Sequence, residues 1–177
     1  MSLSPYDSHR SERTRRPEQV ILFSIANQTF AVAAQAVKEI RSTDSLAATA
    51  VEFEGSDISK VHHIIERAHR TFYVISGCAH FRLPVTRPTL ALILRQFRAA
   101  VLVDAIERMA EIPAVYPLPL AFSGEERTWY RGFAYLEDRL IPVVQPGGFL
   151  TREQFEHLDR IAPRLEPPSQ VEGAIQA

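Results

Sequence analysis

The sequence predicts an all-β fold built as two similar small barrels joined by a crossover. Short apolar runs of strand length recur along the chain, and few helical patterns lie between them. A second observation is a constant shift of 69 residues, the distance from Ala31 to Ala100, which also places 70–76 on 139–145. Because one shift aligns two separate strand pairs, we infer an internal duplication in which the same small unit occurs twice.

The first copy begins with a predicted hairpin. Residues 20–26 and 29–34 have strand patterns, and Asn27-Gln28 supplies the turn between them. The other predicted elements of this copy are, in order, a short helical turn or extended segment at 36–41, a long loop with one short strand at 42–60, a strand pair at 64–65 and 71–75, and a proline-containing crossover at 81–89.

The second copy repeats this order. Asp104 is predicted to cap a short helical turn at 105–109, and Glu137-Asp138 is predicted to form a tight hairpin turn. The predicted strands of this copy are 90–97, 99–103, 111–122, 129–136 and 139–144.

A short C-terminal helix follows at 151–162. Thr151 and Gln154 have the spacing of a capping box, and Pro163 ends the helix. Its predicted apolar face, which should pack on the sheets, consists of Phe155, Leu158 and Ile161.

Asp104 interrupts an apolar run and therefore raises the question of catalysis. The residue that corresponds to it in the first copy is Gln35. A catalytic acid has no reason to alternate with glutamine between copies, whereas a polar residue at a chain corner does. We therefore predict an architectural role for Asp104.

Bulk properties limit the classes of function. The chain has 177 residues, a net charge of −1 with both signs interspersed, and one cysteine, Cys78. With this charge the chain lacks the excess of basic residues that is typical of nucleic-acid-binding proteins, and the single cysteine suits a reducing compartment. No signal peptide is visible and no apolar run reaches the ~18 residues that span a bilayer. We therefore expect a cytoplasmic protein without membrane insertion.

The predicted domain boundaries follow from composition. Residues 1–18 are polar and are predicted to be a disordered tail, as are 166–177 at the other end. The domain is predicted to occupy 19–165, with one barrel half at about 19–86 and the other at about 87–150. The predicted core consists of Phe23, Ile25, Val32, Val74, Leu92, Val101, Val103, Phe133, Ile141 and Val143.

Metal and thiol chemistry are both disfavoured. The adjacent pair His62-His63 lies on a predicted strand, where neighbouring side chains point to opposite faces, and neither His69 nor His80 completes a known ligand spacing. Cys78 has no base at a recognisable spacing. We predict no metal, no cofactor and no catalytic residue.

Three segments carry a resemblance to a known family. They are the V-x-E-I segment at Val37, Glu39 and Ile40, the V-D-x-I pattern at Val103, Asp104 and Ile106, and the R-G-φ-A-x-L pattern at Arg131, Gly132, Phe133, Ala134 and Leu136. With this order and spacing, the chain from about residue 20 to 150 resembles the CheW-like domain of bacterial chemotaxis coupling proteins. The resemblance implies two five-stranded SH3-like barrels in pseudo-symmetry. It also implies a non-enzymatic adaptor that couples a chemoreceptor to a CheA-like histidine kinase.

The resemblance also implies partner-binding residues. An arginine hairpin that is common in the family is altered here, since His63 and Ala68 stand where its glycine and arginine are expected, and Arg67 or Arg70 would have to substitute. Val37 and Ile40 either make apolar contact with a partner or plug the end of a barrel. The full predicted set is Val37, Glu39, Ile40, Arg67, Arg70, Arg131 and Gly132.

Two alternatives to the adaptor stay open. SH3-like barrels also bind nucleic acid, for which Arg67, Arg70, Phe72 and Tyr73 are the best candidates, although several acidic residues lie close by in the sequence. The other alternative is a structural protein without kinase coupling.

Overall fold

The computed structural model describes residues 16–165. The predicted disordered tails lie outside the described residues, except for 16–18 at the N-terminal end. Glu18 in that short stretch already belongs to the first strand, because it pairs with Ile112. The first strand therefore begins one residue before the predicted start of the domain at residue 19.

The described chain is mostly β-structure with few helices. The strands are β1 (Glu18–Ile25), β2 (Gln28–Ala33), β3 (Val37–Ser42), β4 (Ala50–Glu52), β5 (Val61–Arg67), β6 (Arg70–Ser76), β7 (Leu90–Leu94), β8 (Ala99–Val103), β9 (Ala105–Ile112), β10 (Tyr130–Leu136) and β11 (Arg139–Val144). The helices are α1 (Thr43–Ala47), α2 (Gly77–His80), α3 (Glu126–Trp129) and α4 (Arg152–Ile161), and 3-10 turns occupy Ala34–Ala36 and Pro146–Gly148. None of the helices in 16–165 has the length and apolar composition needed to cross a membrane.

The strands form two sheets, and each sheet combines strands from both sequence copies. The first sheet has the order β10-β11-β2-β1-β9, and the second has the order β3-β7-β8-β6-β5-β4. Val143 pairs with Ala31 in the first sheet, and Val74 pairs with Ala100 in the second, both in parallel strands. These two pairs are related by the 69-residue shift. The predicted boundary near residue 86 therefore separates sequence copies and does not separate sheets.

The repeat extends to the hairpin turns. The turn between β5 and β6 places Ala68 and His69 at positive φ, and the turn between β10 and β11 does the same with Glu137 and Asp138. The same shift relates the two turns, and the predicted turn at Glu137-Asp138 is confirmed. The first hairpin turns at Ala26 and Asn27, one residue before the predicted position.

The predicted helical turn at 105–109 is wrong, because these residues belong to β9, which pairs along β1. Asp104 does not cap a helix. One of its carboxylate oxygens accepts a hydrogen bond from the Ala26 amide at 2.7 Å, and the other accepts one from the Thr86 hydroxyl at 2.5 Å. Asp104 thus ties the first hairpin to the crossover, in agreement with the predicted architectural role.

Alternation along the strands divides the apolar side chains among three clusters. In β1, Ile21 and Phe23 face a large cluster between the sheets, whereas Val20 and Leu22 face a smaller cluster of the first sheet with Ala134 and Val143. The second sheet has its own small cluster, which contains Leu46, Ile65, Val74, Ala91, Ile93 and Ala100. Of the ten predicted core residues nine are buried, and Phe133 is half-buried.

Helix α4 packs on the cluster between the sheets. The predicted capping box is present, since Thr151 and Gln154 bond each other's backbone amides. Leu158 is fully buried and Phe155 is half-buried, but Ile161, the last residue of the helix, is 38 % exposed and does not complete the predicted apolar face. Asp159 joins the helix to the second sheet, because it accepts hydrogen bonds from the Tyr73 hydroxyl and the Arg98 guanidinium.

Candidate docking surface

Three of the predicted site residues lie on β3, an edge strand of the second sheet. Val37 is buried in the cluster between the sheets and has almost no apolar surface exposed. Ile40 pairs with Leu92 but is 41 % exposed. The two apolar residues of the V-x-E-I segment therefore separate, and only Ile40 offers apolar surface to a partner.

Glu39 lies between them and joins β3 to a distant strand of the same sheet. Its carboxylate accepts a hydrogen bond from Arg67 Nη2 at 2.6 Å, and Arg41 Nε lies 3.4 Å away. Arg67 belongs to β5, and three strands separate β5 from β3 in the sheet order. The sheet must curl to bring these side chains together. The Arg67 hydrogen bond, with the charges of Arg67 and Arg41, holds the pKa of Glu39 below its ordinary value despite some desolvation.

The first sheet carries a similar ion pair of opposite polarity, but its acidic partner, Glu137, lies one position after Leu136, the residue that the 69-residue shift assigns to Arg67. Arg108 and Met109 occupy the positions that the 69-residue shift assigns to Glu39 and Ile40. Arg108 Nη2 lies 2.7 Å from Glu137 Oε1, and Met109 is 60 % exposed. Neither residue is among the predicted site residues, although the repeat alignment places Met109 opposite Ile40.

Arg131 and Gly132 lie on β10 in the first sheet, apart from the β3 group. Arg131 donates two hydrogen bonds to Glu18, at 2.8 and 3.1 Å. Gly132 is buried with a φ of 152°, and a Cβ at this position would overlap the Tyr116 carbonyl oxygen. Gly132 therefore allows close packing of the backbone near Tyr116 and has no surface of its own. Arg70, the remaining predicted residue, is exposed beside the turn that follows Arg67.

A second exposed apolar group was missed by the sequence analysis. Tyr135 on β10 pairs with Leu140 on β11, and the two are 57 % and 52 % exposed. The Tyr135 ring also lies 5.9 Å from that of Tyr116. The sequence pattern could have predicted this group. Successive side chains of a strand point to opposite faces of the sheet, so Tyr135 and Leu140 must point outward when their neighbours Ala134 and Ile141 point inward.

The comparisons with known proteins place the chain in a family. A sequence model described as the CheW-like domain matches residues 19–154. The chain belongs to the CheW-like domain family. Its structure is similar to the crystal structure of the scaffolding protein TtCheW from Thermoanaerobacter tengcongensis, with a TM-score of 0.60, 16 % sequence identity and coverage of 77 % of this chain and 90 % of that chain. At this identity the likeness concerns the fold. No curated protein matches the sequence.

The histidines and the cysteine of this CheW-like domain are dispersed. His62, His63 and His69 are exposed, whereas His80 is buried. Within residues 16–165, no three histidine, cysteine or acidic side chains are grouped so that they could hold a metal ion. Cys78 is buried, and its sulfur lies 3.1 Å from the Thr86 hydroxyl.

Proposed function

We propose that this protein is a non-enzymatic adaptor of chemotaxis-type signal transduction, which couples a chemoreceptor-like protein to a CheA-like histidine kinase in the cytoplasm. The observation that carries the proposal is the CheW-like match over residues 19–154, which covers the two sheets and the start of α4. The likeness of the fold to a scaffolding protein agrees with it.

The surface proposed for docking is centred on β3 and the end of β5. Ile40 supplies exposed apolar area, and Glu39 supplies a charge whose position is fixed by Arg67. Arg70 extends the charged rim, and Arg131 is proposed as a second contact on the first sheet. An apolar residue beside an oriented charge suits weak, exchangeable association, in which the charge sets orientation and the apolar contact contributes affinity.

We also propose that the first sheet closes into a five-stranded SH3-like barrel, and that β3, β7, β8, β6 and β5 of the six-stranded second sheet close into another. In the second sheet, the Glu39–Arg67 pair supports closure because it joins β3 to β5. In the first sheet, the segment that follows β9 turns back to β10, where Tyr116 and Phe133 exchange two backbone hydrogen bonds of 2.7 and 2.9 Å. Both features bring the ends of a sheet together.

A pull-down of the full chain from the cytoplasm of its native cell tests the adaptor proposal. The parent protein is compared with Ile40→Lys and with a matched control, Val51→Lys. Val51 is 42 % exposed on β4, at the opposite edge of the same sheet. We expect the parent and the control to retain a CheA-like kinase or a chemoreceptor, and Ile40→Lys to lose it. Recovery of RNA without either protein would overturn the proposal and favour nucleic-acid binding.

A further inference from the structure

A cavity with a volume of about 340 Å³ lies between residues 57–60, which precede β5, and α2, α3 and the start of α4. It is on the side of the domain where segments from both sequence copies meet the C-terminal helix. Its lining is largely polar and includes Lys60, His80, Arg82, Glu125, Trp129 and Thr151. A volume of this order is within the range that holds a small ligand.

Lys60 gives the cavity a positive charge that has no direct ion-pair partner among the described residues. The Lys60 ammonium is half-buried and lies 3.2 Å from His80 Nδ1, and within residues 16–165 it makes no ion pair with a carboxylate. Of the acidic groups of the lining, Glu125 forms its ion pair with Arg82 at 3.0 Å and acts on Lys60 only through its charge, and the Asp57 carboxylate lies 2.8 Å from His157 Nε2. Partial burial of an ammonium group without a counterion is unfavourable, and an anion would relieve this.

His80 forms part of the wall of the cavity and has one hydrogen-bonding nitrogen without a partner in the described residues. The residue is 3 % exposed and is surrounded by the rings of Phe81, Trp129 and Phe149. Burial, with a smaller effect of the Lys60 charge, lowers the pKa of His80 to about 3, so the ring is neutral. Because Nδ1 accepts from the ammonium, Nε2 carries the proton. In the described part of the chain this buried Nε2 has no hydrogen-bond partner.

We propose that this cavity binds a small oxyanion, a carboxylate or a phosphate group, through the ammonium of Lys60, with His80 and Trp129 forming its wall. The Lys60 charge selects an anion, and the polar lining and the volume select a small one. Glu125 opposes binding because its carboxylate lines the same cavity. The bound anion would connect residues 57–60, α2 and α3 to α4 and so stabilise the folded domain. The proposal does not depend on the adaptor function.

The protein is suited to a direct test, since Trp129 is its single tryptophan and lines the cavity. Trp129 fluorescence and the melting temperature of the full chain are followed during titration with inorganic phosphate, and separately with acetate, against chloride at matched ionic strength. We expect a saturable fluorescence change and a rise in melting temperature with at least one oxyanion and neither with chloride. The two arms distinguish phosphate from carboxylate as the preferred group.

Three variants make the test specific. Lys60→Gln should weaken oxyanion binding by roughly tenfold or more, Lys60→Arg should retain it, and Glu125→Gln should strengthen it. Lys38→Gln is the matched control, because Lys38 is the other lysine of the chain and lies exposed on β3. If Lys60→Gln folds poorly, the opposite effect of Glu125→Gln still decides the question. The proposal is overturned if neither oxyanion gives a saturable change, or if Lys60→Gln and Lys38→Gln weaken binding equally.

Discussion

Replacing Glu39 and Arg67 by glutamine, singly and together, measures how strongly their ion pair joins two strands that are not neighbours in the second sheet. The side chains are 37 % and 25 % exposed and their charged atoms are 2.6 Å apart. Partial exposure limits the interaction, and Arg41 remains near Glu39 when Arg67 is removed. We therefore expect a coupling energy of about 1 kcal/mol, which is the upper end of the range measured for solvent-exposed ion pairs.

The coupling energy is obtained from urea unfolding of the parent, the two single variants and the double variant. In a chain of this size about 1 kcal/mol corresponds to a change of roughly 2–4 °C in melting temperature, which gives an independent check. The matched control is the same cycle at Arg152 and Glu156, a pair on α4 with 91 % and 60 % exposure. A Glu39–Arg67 coupling no larger than that of the control would refute the inference that this pair holds the curled sheet together.

Three further predictions concern packing and the attachment of α4. Asp159→Asn should lower the free energy of unfolding by about 1 kcal/mol, because it weakens the hydrogen bonds from Tyr73 and Arg98. The loss is no larger because Asp159 is partly exposed to water. The Arg98 hydrogen bond lowers the pKa of Asp159. The stabilisation by the Asp159 carboxylate is therefore present at neutral pH and is lost as the pH falls through the pKa that Asp159 has in the folded protein. The melting temperatures of the parent and of Asp159→Asn should become equal in acid. Gly132→Ala should lower the free energy of unfolding in urea by about 2 kcal/mol or more, because Gly132 has a positive φ and an added Cβ would overlap the Tyr116 carbonyl oxygen. A change near zero would show that the backbone there is free to move. Leu158→Ala should cost roughly 2–5 kcal/mol by the same measurement, since the side chain is fully buried; a loss well below this range would mean that α4 contributes little to the core.

Local sequence signals were sufficient for much of the architecture. The 69-residue shift relates β5 to β10 and β6 to β11, and the Glu137-Asp138 turn and the capping box are where their patterns place them. Each of these features depends on residues close together in the chain, or on the repetition of such a group.

Features that depend on distant partners were not predictable in the same way. Residues 105–109 have a pattern compatible with a helical turn, and only pairing with β1, far away in the sequence, makes them a strand. Duplicated units can exchange strands without changing their local patterns, so the combination of both copies in each sheet leaves no signal in the sequence. The contact between Glu39 and Arg67 has the same origin, since it exists only because the sheet curls.

We propose that the β3 surface docks a histidine kinase, and the affinity of a CheA-like kinase for Glu39→Lys tests this directly. The charge-reversal control is Arg108→Glu, at the equivalent position of the first sheet. Because Glu39 pairs with Arg67, we expect Glu39→Lys to lower the melting temperature by a few degrees, roughly 2–4 °C, while leaving the domain folded. We predict that Glu39→Lys weakens kinase binding by roughly tenfold or more, and that the affinity of the kinase for Arg108→Glu stays near the parent value. If folded Glu39→Lys bound the kinase with the affinity of the parent, docking of the kinase on the β3 surface would be contradicted.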